Sequence, residues 1–500
     1  MGPIMDERGL EQGGVNSSDY YKIFGKEQLE AAQVSGLGVL MKDITISAIG
    51  DADDTVLLSN NIHDLNHLLE LSLDFCSKYQ VQLCAEKTKL QAFCTRGLTA
   101  STEYQMDISP VAIKGVKIDF TDTAEHVGVV RSVSGNLPNI LARITAHKRA
   151  LGSVLHTGMA RGHRGNPAAS LRIDQLHAVP VLLSGLGALV LIKSEIDILD
   201  HHHKVHIENL LRLPKGTPRP VTAFLAGSLP ARALLHLRQL GLFGMISRLP
   251  LNILHKQAWN VLITSKPSSK SWFIQIRDLC LMYGLPHPTS ILEHPSSKSS
   301  FKTLVKKKVI SFWETKLRDE AEPLDSLIYF KPQFMSLTTP HPIWLTAGSS
   351  SYEVAKATVQ ANMLSGRYRT ERLCRFWSQN RKGICLAPAC ADQERIEDLE
   401  HILTDCKALQ QTRLTLHMFT EKYCLKIPPE VSSLLSIYCT PSHPLFVHFV
   451  LDCSTLPCVI ETIQQKKGAD VLFHLFHVTR TWCYSLHRER LRVLGRWRKF

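Results

Sequence analysis

Three carboxylates, Asp51, Asp53 and Asp54, fall within four positions of GDADDTVLLS, Gly50 to Ser59. Crowded carboxylates raise one another's pKa unless a cation sits among them, so the cluster suits a divalent metal. On a rigid mount it suits two-metal phosphoryl transfer. An EF-hand is excluded: counted from Asp51, the required glycine is Val56 and the closing glutamate is Ile62. A second group lies far downstream in GICLAPACADQERIEDLEHILTDC, where Cys385, Cys390, His401 and Cys406 have the spacing Cys-x4-Cys-x10-His-x4-Cys. Three thiolates and an imidazole suit tetrahedral zinc in a closed structural site; buried free cysteines are the plain alternative, and Cys374 is a substitute ligand.

The acidic cluster needs a mount, and its flanks supply one. ITISAI (Ile44 to Ile49) and TVLLS (Thr55 to Ser59) are short and β-prone, which predicts a hairpin. Upstream, the Gly-rich RGLEQGGVN leads into a helix from about Asp19 to Val34, capped by Asn16, Ser17 or Ser18. Downstream, Asn60 or Asn61 caps a helix whose Leu65, Leu68, Leu69, Phe75, Cys76 and Tyr79 keep a helical period. KLQAFC, AIKGVKIDF and EHVGVV are further β-prone pieces that close an α+β region near residue 135. From Leu137 to about Thr346 the pattern is mostly helical, broken at RLPKGTPRP and SKPSSKSW. HPTSILEHPSSKSS, residues 287 to 300, reads as a linker, and KTLVKKK after it as a solvated helix face. EDLEHIL should be helical and bring His401 towards the first two cysteines.

The order RGLEQGGVNSS, GDADDTVLLS, helix, CAEKTKLQAF, EHVGVV resembles the C-terminal half of the palm of non-LTR retrotransposon reverse transcriptases. The resemblance implies that Gln12, Gly13 and Ser17 contact template and incoming nucleotide. It makes Asp53 and Asp54 ligands of Mg2+ or Mn2+, Lys87 the proton donor to pyrophosphate, and EHVGVV a brace for the primer grip. Glu208 to Phe243 is similar to the helical segment downstream of such palms, and a Cys-Cys-His-Cys knuckle after LSGRYRTERLCRFW fits the same family. The implied function is RNA-directed DNA synthesis, with an RNA template, a DNA primer and dNTP as partners. Three features depart from the family pattern: Asp51 stands where it has an aromatic, Ser18 replaces a proline, and only eleven residues precede Gln12. The family's first catalytic aspartate and its fingers lie before that loop. The chain alone is therefore expected to be weak or inactive, unless another chain supplies the missing strand across an open edge. The alternative is a non-catalytic protein that binds RNA or single-stranded DNA.

Composition agrees with a polyanion partner: 58 Lys and Arg against 45 Asp and Glu give a formal charge of +13. Thirteen irregularly spaced cysteines without a signal peptide point to an intracellular, reducing compartment, nucleus or cytoplasm, without disulfides. The apolar run Ala178 to Ile192 is shorter than the roughly 18 residues of a spanning helix and is broken by Pro180, Gly185 and Gly187, so no membrane association is expected. His201, His202, His203 and His206 point to different sides of a helix and should form a solvated or partly packed face. Arg488, Arg490, Arg492, Arg496, Arg498 and Lys499, with Trp497 and Phe500, could bind phosphate and stack on bases. The expected architecture is α+β: a partial palm of antiparallel hairpin and helices (1–135), a helical thumb-like region (136–286), a linker and helical connection (287–360), a Cys/His knuckle-like module (361–415) and a basic helical C-terminal region (416–500).

Overall fold

The computed structural model describes residues 16–41, 44–93, 111–113, 115–155, 165–250, 253–266, 268–376, 380–465 and 469–495. Gln12, Gly13 and the end of the basic tail, Arg496 to Phe500, lie outside them. The protein is mainly helical with small antiparallel hairpins.

The first region begins with helix α1, Ser17–Val34. Two hairpins follow: β1 (Val39–Met41) with β2 (Ile44–Ile46), then β3 (Ala48–Asp51) with β4 (Asp54–Leu57). ITISAI is thus two strands, where the sequence suggested one. Ser47 divides them: it is fully buried, and its hydroxyl donates back to the Leu37 carbonyl. Asn61 caps helix α2, Ile62–Tyr79, accepting from the Asp64 N–H at 2.8 Å. Helices α1 and α2 meet through Phe24, whose ring centroid lies 5.2 Å from those of both Phe75 and Tyr79. AIKGVKIDF forms the short hairpin β5 (Ala112–Ile113) and β6 (Val116–Lys117), while Leu90 of KLQAFC makes one bridge to Phe120. EHVGVV belongs to the hairpin β7 (Thr123–His126) and β8 (Val129–Ser132). Each of the four sheets has two strands, so the hairpins do not merge into one sheet among the described residues.

Helix α3, Leu137–Leu155, starts the helical body, and its Asn139 accepts from the Val130 N–H of β8 at 3.1 Å. The apolar run packs as expected of core: a π-turn, a short helix and a 3-10 turn bury Leu182, Leu183 and Leu186. Gly185 (φ 73°) sits where a Cβ would meet Val129 Cγ2 at 2.4 Å, so only glycine lets this turn approach β8. Helices α4 (Pro167–Ile173), α5 (Lys193–Leu210), α6 (Ala231–Ile246) and α7 (Lys298–Ala321) continue the body.

The stretch 287–300, expected as a linker, carries structure. His287 caps a helix over Pro288–Glu293 that buries Ile291 and Leu292, and Ser297 caps α7. Its Ser and Pro residues are helix-start signals. In α7, Phe301, Val305, Val309, Trp313, Leu317 and Ala321 recur every four residues on the buried face, which leaves Lys302, Lys306, Lys307 and Lys308 exposed, as the charge run suggested. Helices α8 (Ser351–Leu364), α9 (Gln410–Cys424) and α10 (Ala469–Val493) complete the body. One cluster of buried apolar residues extends from Leu171 to Leu486. Among the described residues one stretch, Phe446–Gln464, is long and apolar enough to cross a membrane, and 56% of it is buried inside the protein.

Candidate functional site

The acidic cluster occupies the tip of the β3–β4 hairpin. Asp51 pairs directly with Asp54, leaving Ala52 and Asp53 as a two-residue turn. Ala52 takes φ 53°, a conformation that costs a residue with a Cβ about 1–2 kcal/mol. Directly opposed residues of an antiparallel pair project to the same face, so Asp51 and Asp54 share one face of the hairpin. All three aspartates are exposed. Helix α1 backs the hairpin: Leu29 approaches Gly50, and burial together with the nearby Asp53 carboxylate pushes the Tyr21 phenol up. Lys87 is exposed on the turn after α2, where its N–H bonds to the Cys84 carbonyl. Among the described residues, two groups of three or more His, Cys, Asp or Glu bring their ligand atoms within 4.8 Å of one another, and neither contains an aspartate of this hairpin.

The first such group is Cys385, Cys390, His401 and Cys406, all buried, and it could hold a zinc ion. A one-pair antiparallel bridge between Ile384 and Ile396 closes the loop, with Cys385 N–H donating to the Arg395 carbonyl at 2.8 Å. Cys390 lies on a 3-10 turn opened by Pro388. EDLEHIL is helical at its end: His401 opens a π-turn, and its N–H donates to Asp398 Oδ1 at 2.9 Å. Cys406 follows directly, its carbonyl accepting from Arg413 Nη2 at 2.7 Å.

The geometry fits the ion. Bonds of about 2.3 Å to a tetrahedral zinc put two thiolates about 3.8 Å apart, and Cys390 Sγ lies 3.8 Å from Cys406 Sγ. Both ring nitrogens of His401 are buried without a hydrogen-bond partner, although Asp405 Oδ1 stands 2.9 Å from Nδ1. A carboxylate beside one nitrogen is the usual company of a zinc-bound imidazole. Among the side chains themselves, Cys406 and then burial push the Cys385 thiol up to about 12, while Cys385 holds Cys406 below its ordinary value. Cys374 is buried but outside the group.

The knuckle is anchored by a contact that spacing did not reveal. Glu397 accepts from Arg490 Nε at 2.9 Å and Nη2 at 2.8 Å, a bidentate pair linking the knuckle to α10 with both side chains buried. Arg490 also donates to the Arg369 carbonyl at 2.9 Å. Arg490 is therefore no phosphate ligand, and Arg492 is paired with Glu489 on its own helix.

The second group is His147, Asp174 and His206. The histidines of α5 do not converge on one another and form the partly packed face that was one of the two expectations, with His201 exposed and His202 and His206 half-buried. His203 is buried, His206 Nε2 lies 2.9 Å from Asp174 Oδ1, and His202 Nε2 lies 3.1 Å from His147 Nδ1. Their partners come from α3 and from the π-turn after α4, 59 and 32 residues upstream of His206. No family model matches the chain, and no curated protein is significantly similar to it.

Proposed function

We propose that the chain acts on nucleic acid as the metal hairpin, thumb and knuckle portion of a reverse-transcriptase-like polymerase. The observation that carries this reading is the opposition of Asp51 and Asp54 across a turn whose apex is Asp53. Like charges directly opposite each other destabilise a strand pair, and a divalent cation held at the tip by Asp53 and Asp54, next to Asp51, offsets that cost. In this reading Asp53 and Asp54 hold Mg2+ or Mn2+, which would stabilise charge on the attacking and leaving oxygens. Lys87 protonates pyrophosphate, and Gln12, Gly13 and Ser17 face template and nucleotide. Zinc at Cys385, Cys390, His401 and Cys406 is structural. RNA template, DNA primer and dNTP are the substrates. A single hairpin offers too few carboxylate oxygens for two ions, and among the described residues strands β3 and β4 pair only with each other, so an added strand from another chain would have an edge to join.

Extension of a DNA primer on an RNA template with magnesium or manganese tests the reading, comparing the chain with Asp53→Asn. Extension by the wild type that the variant loses supports a polymerase. No extension from either, also after addition of a fingers fragment, with RNA binding retained, favours the second reading. That reading is a non-catalytic RNA or single-stranded DNA binder, for which the exposed Lys302, Lys306, Lys307 and Lys308 of α7 argue.

A further inference from the structure

The described residues bring a second, thiol-free set of metal-ligand side chains together inside the helical body. His147 comes from the middle of α3, Asp174 from the start of the π-turn that ends α4, and His206 from the last turns of α5. Asp174 Oδ1 lies 2.9 Å from His206 Nε2 and 3.7 Å from His147 Nε2, and the two imidazole planes stand at 88° with centroids 4.9 Å apart. Bonds of about 2.0–2.1 Å to a tetrahedral ion put nitrogen and oxygen ligands about 3.3 Å apart. The two observed separations bracket that value. Both imidazoles thus turn an Nε2 towards one carboxylate, as they would towards a shared ion.

An independent observation points to a missing ligand. Asp174 is only 1% exposed at its side chain, and its Oδ2 has no hydrogen-bond partner. His147 Nε2 is equally buried and equally unpartnered. Each group thus has one atom partnered and one buried atom, Asp174 Oδ2 or His147 Nε2, left without a hydrogen bond. The far side of His147 is already arranged: Nδ1 meets His202 Nε2 at 3.1 Å. With the proton on His147 Nδ1 donated to His202, Nε2 presents its lone pair to the centre of the group. Metal-bound histidines are oriented in this way by a partner on the other nitrogen.

We propose that His147 Nε2, the Asp174 carboxylate and His206 Nε2 bind a divalent transition-metal ion of the zinc class, with His202 as the residue that positions His147. Two imidazoles and a carboxylate without thiolate suit Zn2+ or Co2+ over Ca2+ or Mg2+, which prefer all-oxygen sets. The ion fastens α3, which holds β8 through Asn139, to α5. It thereby ties the hairpin region to the helical body.

The experiment measures metal on the full chain after incubation with zinc chloride and removal of loosely held ion. His206→Ala and Asp174→Asn should each bind one equivalent less than the wild type. The difference is read, so the result does not depend on whether the Cys3His group is filled. His206→Cys keeps a ligand: it should retain the equivalent and, loaded with Co2+, show more thiolate-to-cobalt absorption than the wild type or His206→Ala, in both of which only the Cys3His group can contribute it. Equal metal content in wild type, His206→Ala and Asp174→Asn overturns the proposal. So does a His206→Cys protein whose cobalt spectrum matches the wild type, because that readout holds even if the alanine variant folds poorly.

Discussion

Cys406 sits where two demands meet. Its thiol approaches Cys390 at 3.8 Å, and its carbonyl is held by the buried Arg413. Cys406→Ser keeps the size and the backbone bond but removes a soft thiolate, so zinc affinity should fall at least 100-fold, as loss of a first ligand exceeds the 10- to 100-fold typical of supporting residues. A 100-fold fall takes away up to about 2.7 kcal/mol of zinc-dependent stability. Cys374→Ser should leave affinity unchanged, since Cys374 lies outside the group. Competition with a chromophoric chelator measures both; equal affinity in the wild type and Cys406→Ser would remove this cysteine from the ligand set. The Cys3His group was legible in the sequence because its four ligands fall within 22 consecutive positions, joined by one loop and one helical turn. His147, Asp174 and His206 were not, because three separate elements deliver them and no local spacing encodes that approach. Glu397 and Arg490, 93 residues apart, escaped for the same reason.

Elements with local signals were readable to within a few residues: Asn61 announces α2, and the lysine run of α7 alternates with its apolar stripe. Elements that depend on distant contacts were not. ITISAI breaks at Ser47 because a hydroxyl reaches back to Leu37, and 287–300 resembles a linker until Ile291 and Leu292 find a core. A buried chain between α6, α7 and the helix Trp272–Met282 has the same hidden character. Trp313 Nε1 donates to Tyr283 Oη at 3.1 Å, and Tyr283 Oη meets His236 Nδ1 at 2.6 Å. With Tyr283 donating, His236 accepts and must be neutral. Burial, and then the Arg232 and Lys316 charges, lower its pKa to about 4. The unfolded histidine titrates near 6.5, so between 6.5 and 4 the unfolded chain binds the proton first. The stability from a neutral His236 is therefore complete above about pH 6.5 and drains as pH falls towards 4, by up to about 3 kcal/mol. Denaturant midpoints at pH 7 and pH 4.5 should differ by more in the wild type than in His236→Gln; equal pH losses would mean that the histidine is not held neutral by this chain.

The buried cluster from Leu171 to Leu486 bears on how the whole molecule unfolds. A thumb, a connection, a knuckle and a basic tail read as separate modules in sequence, because Pro- and Ser-rich breaks separate their helices. The side chains pack otherwise: Phe243 of α6, Trp313 of α7, Cys385, Cys390 and Cys406 of the knuckle and Trp482 of α10 belong to the same cluster. The Glu397–Arg490 pair adds a buried tie, and breaking one partner of such a pair typically costs 3–5 kcal/mol. A shared core makes the energies of its parts common property. Phe243→Ala, far from the knuckle in sequence, should destabilise the body by about 3–5 kcal/mol and lower the temperature of zinc release by the same shift as the temperature of helix loss. Circular dichroism and a metallochromic dye, followed in one heating series, read the two events together. Zinc that leaves the variant at the wild-type temperature while the helices melt earlier would mean that the knuckle folds on its own, and that contact across the cluster carries no coupling. Coincident shifts would mean that the Cys3His group and the helices around Phe243 are one cooperative unit, in which a bound ion stabilises residues more than a hundred positions away.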